Sequence, residues 1–211
     1  MPDPPPGQRR LSILRSYTPA DLLTLGNASC GALTIFACLS YIDDARSPQI
    51  EAAFVLPIVA LVLDFFDGYV ARLNPKRQSL LGADLDSLAD IVSFGVAPAV
   101  LGYTLGLRGL CDVLCLTYFV CCGISRLARF NVTSSSLTDL ATGKVRYFEG
   151  TPIPTSILLV LLMATLFYLG MTGANFPGGH VDLLGRGFHP ISLLFVVSGS
   201  LMISTIKIPK I

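Results

Sequence analysis

A chain of 211 residues that is 52% hydrophobic and 14% charged, with a mean hydropathy of +0.66, is far too apolar for an ordinary soluble domain. With a formal net charge of +1, no strongly basic balance argues for a nucleic-acid partner, and none is expected. Lipid is the expected solvent for most of the sequence.

Residues 1–17 are proline-rich and basic, without the apolar stretch that a cleavable leader needs. Disorder is expected over 1–10, and a short amphipathic piece lying on the membrane surface over 11–20. Residues 18–211 show no internal repeat and no composition break, so a single membrane domain is expected there. Six apolar segments can be marked, at about 22–42, 52–73, 86–107, 110–130, 154–172 and 189–206. Each is long enough to cross a hydrocarbon layer of ~30 Å, which predicts an all-α bundle of six transmembrane helices.

The first segment carries Thr24 and Asn27 one turn apart, followed by Gly31. Polar residues so placed either bond to neighbouring helices or face a cavity and touch a ligand. The second and third segments hold Asp64 and Asp67, three residues apart, and Asp86 and Asp90, four apart. Both spacings put the pair on one helix face. Asp64 lies eight residues before Arg72 and Asp90 eight after Gly82, so each outer acid sits roughly 12 Å inside its helix mouth. Joined by the polar turn NPKRQS (74–79), the two helices could face each other and pool their carboxylates. Four carboxylates in apolar surroundings are prohibitive unless cations neutralise them. Mg²⁺ and Mn²⁺ suit carboxylate oxygen and keep open positions for phosphate. Gly68 and Gly82 leave room against the helix backbone, and Arg72, one turn after Gly68, can meet a phosphate or the acids.

The fourth segment ends in Ser125-Arg126-Leu127-Ala128-Arg129-Phe130-Asn131. Arg126 and Arg129 share one face. Either they are snorkelling anchors at a helix end, or one of them grips an anionic group through its planar fork. Beyond them, in GKVRYFEGTPIPTS (143–156), Pro152 and Pro154 suit the entry to a helix. Glu149 is a lone acid at the membrane boundary, fit to pair with a cation or to hold an ammonium group.

All six cysteines fall in apolar segments and none forms a CxxC pair, which predicts buried free thiols. Twelve of the fifteen Lys and Arg residues share a side with the termini, the 74–79 turn and the loop after the fourth segment. Only Arg46, Arg108 and Arg186 fall on the other side. The positive-inside rule then turns the mouth of the acids toward the cytoplasm and sends His180 and His189 to the far face, where no catalytic role is expected of them.

Asp64-x-x-Asp67-Gly68-x-x-Ala71-Arg72, then Gly82-x-x-x-Asp86-x-x-x-Asp90, resembles the signature of the CDP-alcohol phosphatidyltransferase family. Nine residues separate Arg72 from Gly82, one more than is usual in the family, and the extra residue falls in the polar turn. A narrower resemblance spans roughly 20–210. LDSLADIVSFGVAPA (85–99), SRLARFN (125–131), YFEGTPIPTS (147–156) and ISTIKIPK (203–210) are similar to the serine-accepting members of that family.

The resemblance implies a six-helix membrane enzyme, a homodimer, in a bacterial inner membrane or the endoplasmic reticulum, with a site for two Mg²⁺ or Mn²⁺ ions open to the cytoplasm. It further implies CDP-diacylglycerol as donor, L-serine as acceptor and CMP as leaving group. Metal binding is implied for Asp64, Asp67, Asp86 and Asp90, with Asp90 also the catalytic base. CDP-diacylglycerol would be met by Thr24, Asn27, Asp67, Gly68, Ala71, Arg72, Gly82 and Asp86. Serine would be met by Arg126, Arg129, Phe130 and Glu149, with Arg126 one turn deeper than Arg129. No Cys or His stands beside the acids, which favours direct single displacement over a covalent intermediate. Two alternatives stay open: glycerol phosphate or inositol phosphate as acceptor, or a cation transporter, since intramembrane acids also mark ion paths.

Overall fold

The computed structural model describes residues 18–45, 47–73, 80–136, 147–183, 186–205 and 207–209. The expectations for 1–17 and for the 74–79 turn concern residues outside that set. Helix α1 spans Pro19–Asp43. It starts there because Thr18 and Asp21 form a reciprocal capping box: the Asp21 amide donates to Thr18 Oγ1 at 3.3 Å and the Thr18 amide to Asp21 Oδ2 at 2.7 Å. Pro19 in the first turn adds a fixed φ where no amide is needed. Helix α2 (Ser47–Leu73) carries Pro57 in its interior and Arg72 in its last turn.

The third span is one continuous rod with a change of pitch inside it. Helix α3 (Leu80–Asp90) passes into a π-helical stretch, Ile91–Val96, and returns to α-helix as α4 (Ala97–Leu105). The pitch widens directly after Asp90. Wide turns of this kind occur mostly as short inserts in α-helices, frequently at functional sites. Gly106, with φ 129°, ends α4 in a conformation that disfavours a side chain. Helix α5 follows (Leu110–Ser136), then α6 (Ile157–Tyr168) and α7 (Leu193–Ile203). The short strands β1 (Tyr147–Glu149) and β4 (Lys207–Pro209) pair antiparallel, as do β2 (Val181–Leu183) and β3 (Arg186–Phe188).

Among the described residues, four helical stretches are long and apolar enough to cross a membrane: Pro19–Asp43, Pro48–Leu73, Gly82–Leu105 and Leu110–Val132. The last two expected spans form shorter apolar helices, Ile153–Tyr168 and Pro190–Ile203, each opened by a 3₁₀ turn at a proline. The protein is an all-α integral membrane protein, with its six apolar segments in the predicted order.

Helix α1 packs along α2, and α5 along α7. At the second interface Phe119 meets Phe195 edge to face, with ring centroids 5.5 Å apart. A Cβ at Gly199 would lie 3.2 Å from Phe119 Cα, so glycine lets the two backbones approach. Large apolar side chains such as Phe65, Phe66, Leu114 and Val197 are exposed, as lipid-facing positions must be.

Exposure to lipid also corrects one expectation. All six cysteines are free, but only Cys30, Cys38 and Cys122 are buried; Cys111 and Cys115 are half-buried and Cys121 is exposed. A thiol in an apolar helix need not point inward when the surroundings are themselves apolar.

Candidate active site

Three helices build the site. Helix α2 brings Asp64 and Asp67, α3 brings Asp86 and Asp90, and α1 lies against both. Each of Asp64, Asp67 and Asp86 offers a carboxylate oxygen, and these oxygens all lie within 4.8 Å of one another. Three like charges gathered this closely in a membrane helix bundle repel unless a cation lies among them. An all-oxygen set of this kind suits a hard divalent metal, so the residues fit the metal that the sequence resemblance implies.

Asp90 lies outside that 4.8 Å set but within electrostatic reach of all three acids. It is one turn deeper along α3 than Asp86 and only 7% exposed, and Asn27 Nδ2 donates to its Oδ1 at 3.3 Å. Asn27 is fully buried and belongs to a short chain of contacts: Ser93 Oγ in turn donates to the Asn27 carbonyl at 2.8 Å. One turn nearer the α1 start, Thr24 Oγ1 donates to Asp67 Oδ2 at 2.8 Å. The two polar residues of the first segment therefore bond to the acids of neighbouring helices, one to each pair. Gly31 permits this approach, since a Cβ there would fall 2.8 Å from Ser93 Cα and 2.9 Å from Ser93 N.

Gly68 behaves differently. Among the described residues, a Cβ at that position would meet only Arg72 Nη2, at an ordinary 3.6 Å, so packing against them does not require glycine there. Ala71 is half-buried on the same helix and Gly82 half-buried in the first turns of α3. Arg72 is exposed, with its Nε donating to the Gly68 carbonyl of its own helix at 2.8 Å rather than reaching the acids.

On the opposite side of Asp90 stands α5. The Asp90 carboxylate acts electrostatically on the Arg126 guanidinium. Arg126 Nε is buried and has no hydrogen-bond partner among the described residues. A buried donor without an acceptor is costly, and a carboxylate-bearing ligand would satisfy it. Arg129 and Phe130 are exposed nearer the end of α5. Glu149 lies in β1, opposite Lys207 in the ladder; its side chain is outside the described part of the chain.

Sequence reasoning passed over Ser87, Ser93 and Asn131. Ser93 lies in the π-helical stretch and anchors Asn27, while Ser87 and Asn131 bond to each other across α3 and α5. Serine and asparagine next to motif residues were the available signal, and it names no partner. His189 lies far along the chain from the acids and bonds to Asp112 in the first turn of α5, its Nδ1 being 2.7 Å from Asp112 Oδ2. That pair ties the opposite end of the bundle together and has no part in the acid cluster.

With this geometry in view, comparison with known proteins is informative. The family profile for CDP-alcohol phosphatidyltransferases matches residues 17–198. A CDP-diacylglycerol–serine O-phosphatidyltransferase from Saccharomyces cerevisiae is 43% identical over 207 residues, covering 96% of this chain and 74% of that protein. The enzyme of the same name from Bacillus subtilis is 36% identical over 168 residues, 76% of this chain and 85% of that one. An archaetidylserine synthase from Methanothermobacter thermautotrophicus is 34% identical over 193 residues, 90% of this chain and 69% of its own length. The profile, these relatives and the clustered acids of the motif agree: the chain belongs to the CDP-alcohol phosphatidyltransferase family.

Proposed function

We propose that this protein transfers the phosphatidyl group of CDP-diacylglycerol to the hydroxyl of L-serine, giving phosphatidylserine and CMP. The observation that carries the reading is the gathering of the motif acids: Asp64, Asp67 and Asp86 converge, and Asp90, one turn deeper, accepts a hydrogen bond from Asn27. The names of the relatives supply the donor and the acceptor.

Asp64, Asp67 and Asp86, with Asp90 at the edge of the set, would hold two Mg²⁺ or Mn²⁺ ions, which offset the charge of the diphosphate and of the leaving CMP. Asp90 then accepts the proton of the serine hydroxyl while the oxygen attacks the lipid-side phosphorus. One P–O bond forms to serine as the P–O bond to CMP breaks. Arg126 receives the serine carboxylate on its free Nε, and Arg129, Phe130 and Glu149 complete the acceptor side. Gly68, Ala71, Arg72 and Gly82 line the approach of the nucleotide, beside Thr24 and Asn27. The cationic helix ends and loops favour a mouth on the cytoplasmic side, with residues 18–211 acting as one membrane domain behind the 1–17 segment and a homodimer as the working unit.

A single displacement makes a specific demand. Purified protein in liposomes containing CDP-diacylglycerol should neither release CMP nor exchange labelled CMP into the lipid until serine is added. Exchange without serine would mean that a phosphatidyl-enzyme forms, and would overturn the direct route.

A further inference from the structure

Two contacts bracket the space between Asp90 and Arg126. Toward the helix mouth, Asn131 Nδ2 donates to Ser87 Oγ at 3.0 Å. The Ser87 hydroxyl proton is shared between Asn131 Oδ1 at 3.2 Å and the Ala83 carbonyl at 3.1 Å. Toward the membrane interior, the fully buried Ile153 is a wedge between the third span and α5. A Cβ added at Gly123 would lie 2.8 Å from Ile153 Cδ1 and 3.7 Å from Ile91 Cδ1, and one at Gly95 would lie 3.9 Å from each of those atoms.

The order along the two helices is what matters. The third span runs Ser87, Asp90, Ile91, while α5, in the opposite sense, runs Asn131, Arg126, Gly123. Asp90 and Arg126 therefore stand between a polar clasp and an apolar wedge. Helices α3 and α5 touch over a short stretch only, and the clasp is a side-chain hydrogen bond that joins them there.

We propose that Ser87 and Asn131 are positioning residues for the acceptor, fixing the gap between the base and the carboxylate-binding arginine to the reach of a small amino alcohol. This rests on the serine reading above. A three-carbon zwitterion must place its hydroxyl at Asp90 and its carboxylate at Arg126 together, and a gap wider by an ångström keeps one contact while losing the other. On the reading above, the nucleotide lipid is met by residues of α1, α2 and α3 and by none of α5, whereas the acceptor bridges Asp90 of α3 and Arg126 of α5, so a change in the α3–α5 gap falls mainly on the acceptor.

The test measures KM for both substrates by CMP release from the full chain in liposomes. Ser87→Ala and Asn131→Ala should each raise the serine KM roughly three- to tenfold while the CDP-diacylglycerol KM moves less than about twofold. The double substitution should fall clearly short of the product of the two single effects, because both remove their shared contact. Exchanging the partners (Ser87→Asn with Asn131→Ser) should recover part of the lost affinity. Ser87→Ala removes one oxygen and introduces a better helix former, so it keeps the test decisive where Asn131→Ala does not fold. Parallel rises in both KM values, additive losses, or an unmoved serine KM would each reduce the clasp to a plain helix tie and overturn the proposal. A wild-type chain that releases no CMP with serine would instead overturn the serine reading, and the clasp with it.

Discussion

Replacing Arg126 by lysine keeps a positive charge facing Asp90 and removes the planar fork. The structure sets the scale of the effect. Arg126 Nε is a buried donor with no partner among the described residues, available to one carboxylate oxygen. A hydrogen bond to a charged group contributes about 1.5–3 kcal/mol. With a tenfold change for every ~1.4 kcal/mol, its loss should raise the serine KM roughly 10- to 150-fold. Lysine cannot recover this bond, because its ammonium sits at the end of a flexible stem and offers no donor at the Nε position. The CDP-diacylglycerol KM should move by less than about threefold, since the residues proposed for that substrate lie on α1, α2 and α3 and not on α5. The assay is CMP release from reconstituted protein, with one substrate varied while the other saturates. An Arg126→Lys protein with an unchanged serine KM would refute the reasoning: the arginine would be a membrane anchor and the carboxylate would be held elsewhere.

The acids should divide by role when changed singly. Asp64→Asn, Asp67→Asn and Asp86→Asn should each lower turnover at least ~100-fold and raise the Mg²⁺ or Mn²⁺ concentration needed for half activity, measured by metal titration. Asp90→Asn should retain binding of CDP-diacylglycerol and lose turnover by ~10²–10⁴, and near-normal turnover would remove it as the base. Two glycines provide a contrast that separates packing from chemistry. Gly31→Ala drives a Cβ into Ser93 and should destabilise the fold by ~1–3 kcal/mol in a detergent melt. Among the described residues Gly68→Ala meets only the far end of Arg72, so the melt should hold while the CDP-diacylglycerol KM rises; the reverse pattern would contradict both assignments.

The carboxylates were legible because their spacing is a property of one helix at a time. Three-residue and four-residue intervals put Asp64 with Asp67 and Asp86 with Asp90 whatever the tertiary fold, and burying them in apolar sequence demands a cation. The relation between helices was less legible. Thr24 and Asn27 were open to two readings, and the structure shows the first, bonding to neighbouring helices, with Asp67 and Asp90 as the partners. The π-helical stretch after Asp90 has no signature in IVSFGV, and Ser93 within it lies against Gly31 of α1, a partner that sequence does not name. The shortness of α6 and α7 was hidden because hydropathy continues through the 3₁₀ turns and loops that flank them. Cys121 was expected inside because burial and apolar surroundings coincide in a soluble protein and separate in a membrane one.

The central claim is that Asp90 deprotonates serine and no other alcohol of the family. The direct measurement is an acceptor screen: purified protein in liposomes with CDP-diacylglycerol and Mg²⁺ or Mn²⁺, offered L-serine, inositol, inositol phosphate or glycerol phosphate in turn. CMP release is followed and the lipid product identified by mass. The account predicts CMP and phosphatidylserine in equal amounts with serine, and background release with the rest. Comparable release with a phosphorylated alcohol, or release that ignores the acceptor, would contradict it.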